Sequence, residues 1–126
     1  MNEFESPIDF LARKKVGETE IVYSRLLEVV QGGPILGDIS INDKNIPKYR
    51  FGGPALIDKD AVYVPLFIRK FFTSGFKIAK ISIPDLAIKT IGPLRPVICL
   101  SRIDGDKLYF FEDIGRTILT HIAISS

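Results

Sequence analysis

The sequence is short of the residues from which nucleophilic and metal sites are usually assembled: of 126 residues, one is cysteine and one is histidine. A single thiol rules out an internal disulfide, so the fold must stand on packing alone, as suits a reducing compartment. Cys99 sits in the apolar run Val97-Ile98-Cys99-Leu100, where a buried, inert thiol is expected and a nucleophile is not. His121 stands between Thr120 and Ile122 with no cysteine or second histidine nearby to complete a zinc site. No spacing of serine and acid around it suggests a triad.

Long apolar runs are also missing. Every apolar stretch is far shorter than the roughly 20 residues a membrane-spanning helix needs, so no membrane association is expected. The start, Met1-Asn2-Glu3-Phe4-Glu5-Ser6-Pro7, is acidic where a secretory signal requires a basic opening, which makes the cytoplasm the expected location. Two Gly-Gly-Pro segments lack the Gly-Lys-Ser/Thr that would make either a phosphate-cradling loop. The Asp58/Asp60 and Asp104/Asp106 pairs read as turn residues, because the further ligands of a calcium loop are absent. The expectation is therefore a protein without catalytic residues, metal or cofactor.

What the sequence does hold is the composition of one ordinary domain spanning 1–126, with 46% hydrophobic and 25% charged residues. Its ten glycines and eight prolines punctuate short apolar segments. Ser6-Pro7-Ile8-Asp9 has the pattern of a helix start, predicting a short helix over 6–15 that ends near Gly17. The basic step Arg13-Lys14-Lys15 would complement its carbonyl end.

A β-rich body is expected over 20–124. Glu20 to Val30 is rich in β-branched residues and reads as a strand, with a helix as the alternative. Ile35 to Ile41 reads as a second strand, in which Ile39 and Ile41 share one face while Asp38, Ser40 and the following Asn42 share the other. Gly-Gly-Pro-x-Leu-x-Asp occurs at 32–38 and again at 52–58, which fits either a duplicated strand unit or recurrent turn chemistry. Ala61 to Phe72 and Phe76 to Ile83 form a hairpin across Thr73-Ser74-Gly75, with Pro65 predicting a sheet edge or a bulge. An apparent phase slip at Ala79-Lys80 predicts a bulge there. Asp104-Gly105 between two apolar runs is the strongest hairpin signal, and residues 114–124 add a last strand, or a helix as the alternative. The predicted fold is mainly β (or α+β): one antiparallel meander of about seven or eight strands, curved or closed into a partly open barrel.

Charge is unevenly placed: residues 1–43 carry a net −4, residues 44–95 carry +7, and residues 96–126 carry −1. If the central hairpins pack side by side, they gather Lys48, Arg50, Arg69, Lys70, Lys77 and Lys80 into one basic face for a protein partner with an acidic surface. The functional expectation is a non-catalytic protein-binding module of the immunity or antitoxin type, neutralising a cognate toxin by docking on it. A nuclease inhibitor of this kind would be acidic, so a toxin with an acidic surface, or docking through the acidic 2–43 flank, is required. Two alternatives stand beside it: a nucleic-acid-binding β-domain using the basic 44–95 face, and an accessory domain holding a small ligand in the barrel mouth.

Overall fold

A computed structural model describes residues 5–28, 31–69 and 73–124. The frequent alternation of Ile, Val and Tyr with polar residues resolves into strands in order: β1 (Arg13–Val16), β2 (Thr19–Glu28), β3 (Ile35–Ile41), β4 (Lys44–Asn45), β5 (Arg50–Phe51), β6 (Leu56–Asp58), β7 (Ala61–Arg69), β8 (Ser74–Ser82), β9 (Ile88–Arg95), β10 (Cys99–Asp104), β11 (Lys107–Phe111) and β12 (Leu119–Ala123). All the pairings are antiparallel. One sheet of nine strands runs β1-β2-β3-β5-β7-β8-β9, with β4 beside β3 and β6 beside β7, and its ends do not meet to close a barrel. The second sheet is β10-β11-β12. The mainly β fold read from the sequence is the fold observed.

The helix predicted over 6–15 is not formed. Ser6 and Asp9 instead close a tight turn through reciprocal backbone bonds of 3.0 and 3.1 Å, and Arg13–Val16 pairs with β2. Helix-start chemistry and turn chemistry use the same residues here, since the Ser6 hydroxyl accepts from the Ile8 N–H in the turn. A ten-residue helix is marginal on its own, and pairing to β2 wins. Lys14 decides the matter by facing inward, onto Glu5 and the Ala55 carbonyl.

β7 organises the interior because both its faces are buried. Val62, Val64 and Leu66 join a core with Ile21, Ile39, Ile41, Phe51 and Ile81. Ala61 and Tyr63, on the opposite face, join a second core with Phe76, Ile78, Leu100, Leu108 and Phe110, through which the small sheet packs on the large one.

This double burial corrects two readings. β8 keeps unbroken register with β7 from Ser74 to Ser82, so the bulge predicted at Ala79-Lys80 is not there. The apolar residues on both faces only imitate a phase slip; the register shift lies between Phe76 and Ile78, against β9. The hairpin's second strand also starts earlier than expected, since Ser74 and Gly75, read from the sequence as turn residues, pair with Arg69 and Ile68. Lys70, Phe71 and Phe72 lie outside the described residues.

Pro65 is not at a sheet edge. It is tolerated inside β7 because the neighbouring chain is interrupted there, between β5 and β6, where Gly52-Gly53-Pro54-Ala55 replaces a regular ladder. The Pro65 carbonyl takes the Gly52 N–H at 2.9 Å, so the residue that cannot donate faces a gap in the pairing.

That interruption is tightly seated. The Tyr23 hydroxyl donates to the Gly52 carbonyl at 2.6 Å, and the Phe10 ring, packed against Tyr23 at 4.7 Å, covers Gly53. A β-carbon at Gly53 would lie 2.5 Å from the Phe10 ring. The other Gly-Gly-Pro is a plain turn whose Gly32 takes φ +79 with open space around it, so the two copies do different structural work. Gly53→Ala is expected to cost about 1–3 kcal/mol, through the shift forced on Phe10. Thermal melts check this, and a Gly53→Ala/Phe10→Ala pair whose losses simply add would mean that the ring and the glycine are not coupled.

Candidate functional site

The strand registers sort the basic residues by face, because directly opposed residues in a sheet point the same way and neighbours alternate. Arg50 is opposite Phe67, Lys80 opposite Tyr63, and Arg69 lies on the same side of β7, all toward the second core. Lys77 is opposite Leu66 and points to the other face. Lys48 is exposed in the turn before β5, at φ 78. Lys70 lies outside the described residues. Arg50 is drawn to Asp38 at 3.7 Å, and Asp38 also pairs with Arg25. Lys80 lies among Asp58, Asp60 and Asp106. The structure therefore brings Arg50, Arg69 and Lys80 to one side, gives two of them carboxylate neighbours, and separates Lys77 from them.

The lone thiol and the lone imidazole are far apart in character. Cys99 is buried with Sγ 3.9 Å from the Glu5 carbonyl, and burial pushes its pKa up to about 11 against the opposing pull of Arg116, so the thiol keeps its proton at neutral pH. His121 is exposed on β12, its ring 5.2 Å from that of Tyr109, and the Arg102 guanidinium lies 4.1 Å from the centre of the same tyrosine ring. Among the described residues no group of three His, Cys, Asp or Glu side chains could hold a metal ion.

Two features of the assembled fold stand out instead. The first is an edge. A strand with no neighbour presents unpaired N–H and C=O groups, and native proteins commonly guard such edges with charge, proline or a bulge. β1 carries Arg13 and Lys15, and β9 carries Lys89 and Pro93. The exposed end of β2 is bulged between Ser24 and Leu27, with Arg25 at φ 52. β10 abuts β6 and β7. β12, Leu119-Thr120-His121-Ile122-Ala123, has no lysine, arginine, acid, proline or bulge.

Among the described residues β12 has β11 on one side and no strand on the other. Glu112 N–H donates to the Ile118 carbonyl at 2.9 Å and Ile124 N–H to the Asp106 carbonyl at 2.8 Å, which sets the even-numbered residues inward. The peptide groups of Leu119, His121 and Ala123 consequently point away from the sheet. Apolar side chains accompany them: Ile118 is 55% and Leu119 47% exposed.

The second feature is a cavity of about 500 Å³ between the two sheets, lined by Asp58, Asp60, Tyr63, Lys80, Ser82 and Asp106 among others. Asp58, Ala61 and Ser82 form one cross-strand row of its floor, and Tyr63 and Lys80 the next. Burial, and to a smaller extent the Asp58 charge, raise the Tyr63 pKa, so its hydroxyl stays protonated at neutral pH.

Sequence reasoning found neither feature. Asp58-Lys59-Asp60 and the Gly105-Asp106 hairpin are indeed turns, but nothing local says that they meet at one end of the molecule. The absence of charge in 119–123 was visible, yet it acquires meaning only once β12 is known to be outermost. No family model, curated protein or solved structure matches the chain.

Proposed function

We propose that the chain is a non-catalytic protein-binding module that takes an extended strand of its partner onto the free edge of β12. The observation that carries this reading is the outward peptide groups of Leu119, His121 and Ala123 on an edge without guarding charge. Main-chain hydrogen bonds to an added strand give affinity, and alternate side-chain contacts give specificity. Leu119 and Ile118 would lose their exposure against such a strand. In the immunity or antitoxin version of this reading, the partner is a cognate toxin encoded beside this chain, docked at β12 and not at the basic 44–95 stretch.

The test is a pair of variants measured against the adjacent-gene product by calorimetry. His121→Lys/Ala123→Lys places two charges on exposed edge positions and is expected to weaken the complex about tenfold or more. Arg69→Glu/Lys70→Glu is expected to leave it unchanged. The reverse pattern would move the docking surface to the basic stretch. A wild-type chain that is dimeric in light scattering, and monomeric as the edge variant, would make the added strand that of a second copy.

A further inference from the structure

The cavity between the sheets is independent of the β12 edge and has its own chemistry. Its floor is the face of β6, β7 and β8 that looks toward the small sheet, and its far side is the Gly105-Asp106 turn with Ile124. The Ile124 N–H bond to the Asp106 carbonyl, at 2.8 Å, ties those two together. Its size falls within the ~300–1,000 Å³ usual for small-molecule sites, so a metabolite fits and a folded domain does not.

The charges narrow the ligand. Asp58, Asp60 and Asp106 line a space that Lys59 and Lys80 also line. An apolar ligand would strip water from these charges without replacing it. A polyanion such as a nucleotide would meet three carboxylates against two lysines. A simple cation would meet the half-buried Lys80 on the floor. A molecule bearing one charge of each sign satisfies both sets, with the Tyr63 and Ser82 hydroxyls as further hydrogen-bonding groups and Ala61 and Ile124 as apolar walls.

We propose that this cavity binds a small zwitterion of the free amino-acid class, its ammonium toward Asp58 and Asp106 and its carboxylate toward Lys80. Each of the ligand's two charges then meets an opposite charge on the lining.

Amide NMR titrations of the full chain test it with four probes: L-alanine, L-lysine, putrescine and acetate. At least one of the amino acids is expected to shift the amides of Asp60, Ala61, Gly105 and Asp106 saturably, while putrescine, which has no carboxylate, and acetate, which has no ammonium, do not. Asp106→Asn, at an exposed turn where folding is not at risk, should weaken the amino acid about tenfold, and Lys80→Gln should do the same from the other pole. Putrescine binding as well as the amino acids, with Lys80→Gln indifferent, would make this a plain cation site and overturn the proposal. Absence of saturable shifts with both amino acids would overturn it as well. Because the probes are read at the cavity amides, the result does not depend on a strand docking at β12.

Discussion

Lys14→Ala is expected to lower the unfolding free energy by about 3–5 kcal/mol, the usual consequence of removing one member of a buried ion pair. The Lys14 ammonium lies 2.8 Å from a Glu5 carboxylate oxygen and 2.7 Å from the Ala55 carbonyl, and the two side chains are only 9% and 7% exposed. The second Glu5 oxygen accepts the Leu11 N–H at 2.9 Å. Truncating Lys14 leaves a buried carboxylate with one backbone donor, and leaves the Ala55 carbonyl without its ammonium. The loss should resist added salt, unlike that of the exposed Arg13–Glu20 pair between β1 and β2.

Replacing both charges together, as in Glu5→Leu/Lys14→Met, should recover most of the stability, because neither charge then needs a partner. Urea unfolding of the three proteins measures both steps. A Lys14→Ala protein within about 1 kcal/mol of the parent would place this pair in the class of surface ion pairs.

Lys14 also shows what the sequence could and could not convey. Arg13-Lys14-Lys15 is read locally as a charged helix end, yet its period is that of a strand, with Arg13 and Lys15 outward and Lys14 inward. The inward partners, Glu5 and Ala55, are supplied by tertiary structure. Regular local signals were legible: β3 alternates from Asp38 to Ile41, and the β10–β11 hairpin follows from Asp104-Gly105. β8 was harder because burial on both faces erases the period-2 signal.

Pro65 points from the sequence to a sheet edge or a bulge, and it sits at neither: β7 is internal and its register with β8 is unbroken, while the break in pairing belongs to the facing chain, at Gly52-Gly53-Pro54-Ala55. The basic central third was a true property of the composition and a poor guide to a surface. Counting charge along a strand ignores alternation, which sends Lys77 to one face and Arg50, Arg69 and Lys80 to the other. The β12 edge and the cavity are products of topology, fixed by which strand ends outermost and which two turns meet.

Phe110→Ala is expected to cost a similar 3–5 kcal/mol, and where that loss is felt bears on whether 1–126 is one folding unit. Phe110 is fully buried on the inner face of the small sheet, with the Arg95 guanidinium 4.8 Å over its ring. It belongs to the second core, while Ile21, Ile39 and Ile41 belong to the first. The two cores share β7, whose alternate residues serve each of them, so a chain that loses the small sheet exposes Ala61 and Tyr63 along the back of Val62, Val64 and Leu66. Coupling through one strand buried on both faces predicts a single cooperative transition. Native-state hydrogen exchange should then show the slowest amides of β2 and β3 losing the same free energy of protection as those of β10 and β11. Loss confined to β10–β12, with β2 and β3 as protected as in the parent, would mean that the small sheet opens alone and that two units share this chain. Phe51→Ala, in the first core, is the reciprocal variant: one cooperative unit requires it to lower protection in β10 and β11 by as much as in β3.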